Sequence, residues 1–181
     1  MFALYWLNKE LQRIIYSTRE KALGMGKLDF WEESIENLFN GVVNKEPISV
    51  ALNQAIANHK LPKKILMRVV KSYKQELENP EFPDYVAMEE RCEMTRTTII
   101  LLHMKMLGVN FKQNPELIPV AEYAGRCLGT IDYIRQIPFD LSRHRLKMPK
   151  DICEKHVVNV RNLWDRNHGK PKEELYDVVL E

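Results

Sequence analysis

This sequence predicts an all-α fold, a helical bundle with short connections. Three observations carry that expectation. Apolar residues in the long segments recur at three- and four-residue spacing, as in Leu4, Leu7, Leu11, Ile14 and Ile15. No segment alternates apolar and polar residues convincingly, as a half-buried strand would. Proline and glycine interrupt the helical pattern at short intervals without gathering into a linker, so residues 1–181 read as one domain.

The first helix is expected from Phe2 to about Tyr16. A second starts around Leu28, with Asp29 favouring its N-terminal end and Gly41 stopping it. Pro47 opens a third at its first helical position, and Pro62 does the same for a fourth that ends before Asn79-Pro80. After a break at Glu81-Phe82-Pro83, a long helix runs from about Asp84 to Leu107 and stops at Gly108. Its second half, TTIILLHMKML, is apolar nearly all round and reads as the buried central element. The next helix starts at Asn114-Pro115-Glu116 and reaches Gln136 or Ile137, where Pro138 breaks it. Asp151 begins a short turn-like element. Two last helices, VVNVRNLWDRN and KEELYDVVL, are separated by Gly169-Lys170-Pro171.

The chain of 181 residues is long enough for a single core, and its 45% apolar content fits a globular domain. Lys and Arg number 27 against 25 Asp and Glu, net +2, so bulk charge gives no argument for nucleic acid. Cys92, Cys127 and Cys153 are odd in number and widely spaced, which suggests neither a zinc site nor a disulfide framework and fits a reducing compartment. No apolar run approaches the length of a bilayer span. The opening MFALYWLNKELQRII is not a signal peptide, since charges interrupt it early, nor a transit peptide, since Arg and Ser are sparse and Glu10 is present.

Catalytic signatures are missing. The five histidines show no HExxH spacing, there is no P-loop, and Gly24-Met25-Gly26 alone carries nothing. Neither Ser142 nor any cysteine has an obvious catalytic partner. No metal ligand set and no cofactor is expected. A basic stretch, Arg143, His144, Arg145, Lys147 and Lys150, has two readings: a clasp for phosphate, RNA or an acidic partner protein, or a solvated flap. It lacks the aromatic alternation of single-strand binders.

The stretch from Gly125 to Pro149, GRCLGTIDYIRQIPFDLSRHRLKMP, resembles the second aspartate-rich region of the squalene/phytoene synthase family. The shared frame is Gly125, Ile134, Arg135, Asp140, the Arg143–Arg145 run and Met148-Pro149. On that alignment Gln136 stands where the family has its first metal-binding Asp, Phe139 replaces an acidic neighbour, and Asp132 replaces an Asn. Phe2-Ala3-Leu4 followed by Lys9, Glu10 and Arg13 is similar to the first family motif, in which acidic residues four apart hold magnesium against the substrate diphosphate. Here Lys9 and Arg13 stand in those places and only Glu10 is acidic. Either the three form a solvated helix face, or the two cations contact a phosphate or a partner's acids. Likewise Asp132, Arg135 and Asp140 are either a salt-bridge set joining helices or ligand contacts. Tyr85 to Thr98 resembles a family helix whose small residues leave room for an isoprenoid tail. Cys92 aligns, but Arg96 occupies a small-residue position. Trp31 resembles a family tryptophan and also reads as a packing residue.

The resemblance extends from Phe2 to about Asp177. It is nearest to the family's non-catalytic mitochondrial branch, through FALYWLNKEL, GMGKLDFWEESI, the charged MEERCEMTRTTIILL helix and the Pro149-Lys150-Asp151-Ile152-Cys153 element. It implies an isoprenoid-synthase-like helical bundle, shortened at both ends relative to family chains, with any mitochondrial leader outside this numbering. It also implies a pseudoenzyme scaffold, on the matrix side or associated with the inner membrane. Such a scaffold would act with other proteins in assembly of, or as a component of, a large mitochondrial complex, foremost respiratory complex I. The competing expectations are a magnesium-dependent prenyl transferase and a module for anionic lipid or RNA.

Overall fold

The computed structural model of the chain describes residues 2–18, 20–142, 147–156, 163–165 and 170–171. Helix α1, Phe2–Ser17, buries Leu4, Leu7, Leu11, Ile14 and Ile15 on one face, as its spacing predicts. Helix α2, Lys21–Phe39, starts seven residues before the expected Leu28, so Gly24 and Gly26 lie inside it. Gly24 is there for packing: a Cβ on it would stand 2.8 Å from the Leu77 side chain, so the bare backbone brings α2 close to the helix carrying Leu77.

Helix α3, Pro47–His59, has its proline in the first turn, and the Glu46 carboxylate accepts a hydrogen bond from the Ser49 N–H at 2.8 Å. Helix α4, Lys63–Glu78, begins one residue after Pro62, which serves as its N-cap rather than its first residue. The single helix expected over 84–107 is a continuous rod of three parts. Helix α5, Tyr85–Cys92, is capped by the Asp84 carboxylate, which accepts from the Ala87 N–H at 2.8 Å. A π-helical turn, Glu93–Thr97, follows, and then α6, Thr98–Met106. Gly108 leaves the rod with φ +88°, a conformation that favours glycine.

Helix α7, Leu117–Ser142, corrects two expectations. It begins at Leu117 rather than Asn114, and it runs through Pro138 to Ser142. The proline removes one intrahelical hydrogen bond. Buried Ile137, Asp140 and Leu141 fix the last turn on either side of it, and the Ser142 hydroxyl closes the end by donating to the Phe139 carbonyl at 2.7 Å.

The short element expected at Asp151 is α8, Lys150–Lys155. Two-residue strands β1, Trp164–Asp165, and β2, Lys170–Pro171, pair antiparallel. The helix expected over 157–167 is therefore not continuous through Trp164, where the backbone pairs with Pro171 instead. The rest of that segment, and KEELYDVVL, lie outside the described residues.

The core is built around α1, which packs on α2, α3, α4 and α6, with α2 and α4 forming the most extensive pair. Ile99 and Leu102 of α6 join this core, as expected for the apolar half of the rod. Helix α7 lies on the other side, against α5 and the π-turn. Among the described residues no helix is long and apolar enough to cross a membrane.

Candidate functional site: a polar pocket between α1, α4, the π-turn and α7

Where α1, α4, the π-turn and α7 converge, they enclose a pocket. Gln12 and Tyr16 come from α1, Tyr73 and Glu76 from α4, Thr95 and Arg96 from the π-turn, and Gly129, Asp132, Tyr133 and Gln136 from α7. The free space is about 20 Å3, enough for a single water molecule. Side chains fill the rest, and their charges are matched in pairs. Arg96 Nη2 lies 2.5 Å from Asp132 Oδ2, tying the π-turn to α7. Lys147 reaches in from the segment preceding α8 and places its Nζ 2.6 Å from Glu76 Oε1. Both members of that pair are buried, at 8% and 3% exposure. The Lys147 ammonium also stands 4.6 Å from the centroid of the Tyr16 ring.

Neutral groups complete the lining. The Tyr73 hydroxyl donates to Asn8 Oδ1 at 2.8 Å, both residues being buried. Burial pushes the Tyr16 phenol well above its ordinary value, helped by the negative charges of Glu76 and Asp140, while a hydrogen bond with Gln136 works the other way. Burial likewise raises Tyr73, with Arg96 opposing, and Tyr133. All three phenols are held protonated. The Cys92 thiol, buried against α7, is pushed up to about 11 by desolvation, with a hydrogen bond to Thr130 opposing.

The residues singled out from the sequence divide sharply. Asp132 and Gln136 line the pocket. Asp140 is buried at the end of α7, close enough to Tyr16 to act on its phenol. Arg135 is exposed and does not line the pocket. Lys9, Glu10 and Arg13 are not in the pocket. Lys9 is exposed with its ammonium over the Tyr5 ring, and Arg13 pairs with Glu10 at 2.7 Å on the outside of α1. The α1 residues that face inward are Asn8 and Gln12, also four apart. Of the basic stretch, Arg143, His144 and Arg145 lie outside the described residues. Lys150 is exposed and pairs with Glu81 at 2.8 Å, whereas Lys147 is internal. Trp31 is buried in the core.

Sequence reasoning missed Asn8, Gln12, Tyr73 and Glu76. A signal existed: Asn8 and Gln12 are amides beside the apolar positions Leu4, Leu7, Leu11 and Ile15, and Tyr73 and Glu76 continue the buried line of Leu66, Val69 and Val70 on α4. The partner of Glu76 was not legible, because Lys147 is 71 residues away.

Magnesium, which the family resemblance implies, does not fit this residue set. Mg²⁺ asks for near-octahedral oxygen coordination with carboxylates free to give it. Here Glu76 is satisfied by Lys147, Asp132 by Arg96, and α1 offers amides. Among the described residues no group of three or more His, Cys, Asp or Glu side chains converges as a metal site. The remaining space also holds no isoprenoid chain.

Fold and pocket together define an isoprenoid-synthase-like helical bundle, and the chain belongs to the squalene/phytoene synthase family, whose profile matches residues 1–181. The solved structure of a dehydrosqualene synthase in complex with ligand superposes with a TM-score of 0.78 at 13% identity. It covers 99% of this chain and 60% of that one, and at this identity it speaks for the fold alone. Among curated relatives, the chain is 26% identical over 180 residues to NADH dehydrogenase (ubiquinone) complex I, assembly factor 6 of Homo sapiens. It is 27% identical over 182 residues to the Bos taurus protein of that name, and 24% identical over 181 residues to the Dictyostelium discoideum homolog. These matches take in 98–99% of this chain, which spans about half the length of the relatives: 53% of the mammalian proteins and 49% of the Dictyostelium one.

Proposed function

We propose that this chain is a catalytically inactive member of its family, acting as a protein scaffold in assembly of respiratory complex I. It would work on the matrix side of the mitochondrial inner membrane, by contacts with other proteins of the assembly. Two supports are independent of each other. The relatives with which it aligns along nearly its whole length carry the name of a complex I assembly factor. The observation that carries the inactive half of the reading is the Lys147–Glu76 pair, which puts a tethered ammonium on a buried acid of the central pocket. Ionising a prenyl diphosphate needs cation stabilisation worth several kcal/mol, and each ~1.4 kcal/mol lost is tenfold in rate. A pocket whose acids are already paired has none to offer a metal.

The test has two arms. Purified protein is assayed for diphosphate release from C15 and C20 prenyl diphosphates at saturating Mg²⁺, and no turnover is expected. In mitochondria, tagged protein is expected to co-purify with complex I intermediates, and its removal to lower assembled complex I. Turnover would replace this reading with the prenyl transferase. Salt-sensitive capture of anionic lipid or RNA, with no protein partner, would replace it with the binding module.

A further inference from the structure

Lys147 Nζ lies 2.6 Å from Glu76 Oε1, 3.5 Å from the Tyr16 hydroxyl and 4.6 Å from the Tyr16 ring centroid. A carboxylate in front and a phenol oxygen at the side, at the hydroxyl end of the Tyr16 ring, make a donor set for a compact cation with N–H bonds and an apolar stem. It is a poor set for a metal, since it offers one carboxylate and one neutral phenol where magnesium takes six oxygens in near-octahedral geometry. Asp140 adds a second negative charge near Tyr16. The lysine arrives from a segment that is independently held. The Lys150 N–H donates to the Phe82 carbonyl at 3.1 Å, and the Tyr85 N–H donates to the Asp151 carboxylate at 3.2 Å. The ammonium is therefore delivered to the pocket by backbone already in place.

We propose that Tyr16 and Glu76 form a primary-ammonium site, which the chain occupies with its own Lys147, and that the ligand class it takes when that side chain is shortened is a small alkylammonium. The cation in the centre of this bundle is covalently part of the protein. The inference goes beyond the assembly role and does not depend on it, because it concerns contacts within the chain alone.

The test is chemical rescue in the full chain. Lys147→Ala leaves Glu76 buried without its counter-charge, and Tm is expected to fall by about 10 °C. Propylammonium, which replaces the deleted atoms, is expected to restore at least half of that fall saturably. Sodium and magnesium at equal ionic strength are expected to restore little. An unchanged Tm in the variant, rescue by magnesium equal to or better than by the amine, or no rescue by any cation would each overturn the proposal. Should Lys147→Ala fail to fold, the double variant Glu76→Gln with Lys147→Met carries the test. It removes both charges together, so it is expected to fold with a Tm near the unaltered protein, and its failure to do so would overturn the proposal as well.

Discussion

Gly129 on α7 passes so close to Cys92 that a Cβ on the glycine would stand 2.4 Å from the cysteine Sγ and 2.6 Å from its Cβ. One turn earlier, a Cβ on Gly125 would fall 2.6 Å from the Thr97 backbone nitrogen. These two bare positions let α7 lie directly against the rod, and that closeness brings Asp132 within reach of Arg96. Gly125→Ala is expected to destabilise the protein by about 3 kcal/mol: the Thr97 hydroxyl at 2.0 Å could rotate away, but the Thr97 backbone nitrogen and Cα at 2.6 and 2.7 Å cannot. Gly26→Ala is the control. It lies inside α2 with open space where the Cβ would go, and should stabilise by about 0.5–1 kcal/mol. Urea unfolding of both variants checks the contrast.

The Arg96–Asp132 pair should couple the π-turn to α7 energetically. Arg96→Met and Asp132→Asn are each expected to destabilise, and the double variant by less than their sum. The coupling should be about 1–2 kcal/mol, between that of an exposed pair and a buried one. Simple additivity would show that the contact contributes nothing.

Alkaline pH should unfold this protein early. A buried thiol or phenol with a raised folded-state pKa keeps its proton, whereas the unfolded chain gives it up at the ordinary value. Stability is therefore intact below the unfolded pKa and falls as pH rises through the folded one. For Cys92 that window runs from 9 to about 11, and for Tyr16, Tyr73 and Tyr133 it opens at 10. Tm is expected to hold level from pH 7 to 9 and then drop, with phenolate absorbance for these tyrosines appearing only on unfolding. At neutral pH a thiol reagent should label exposed Cys127 and spare Cys92 until the chain unfolds.

Lys9→Asp with Arg13→Asp would restore the acids that the family resemblance places at those positions. Because both side chains point away from the pocket, the change should move stability by only about 0.5 kcal/mol. It should create no response of Tm to magnesium. A magnesium-dependent rise in Tm would show that α1 can present this face inward.

Much of the bundle was legible because local chemistry decided it. Leu4, Leu7, Leu11, Ile14 and Ile15 wrote α1, Pro47 opened α3, and Gly108 ended the rod. The errors arose where a distant contact outweighed a local rule. Gly24 reads as a helix breaker until Leu77 is placed beside it, and Pro138 reads as a stop until the burial of Ile137 and Leu141 is known. The pocket was legible on α7, where Asp132 and Gln136 were singled out, and at Arg96 of the π-turn, noted as a long cation at a small-residue position. On α1 the charged residues drew the eye to the outer face, while the amides Asn8 and Gln12 did the inward work. Lys147 looked like one more cation in a basic stretch, because nothing near it in the chain announces Glu76.

The wide turn at Glu93–Thr97 also sets the rod's phase. Upstream of it Met88 and Cys92 are buried, Cys92 against α7; downstream Ile99 and Leu102 are buried in the α1 core. At ordinary pitch each residue advances the helix by about 100°, so a rod one residue shorter through this turn could satisfy one of those neighbours and not both. The turn works like the offset in a camshaft, timing two lobes of a single axle to different valves.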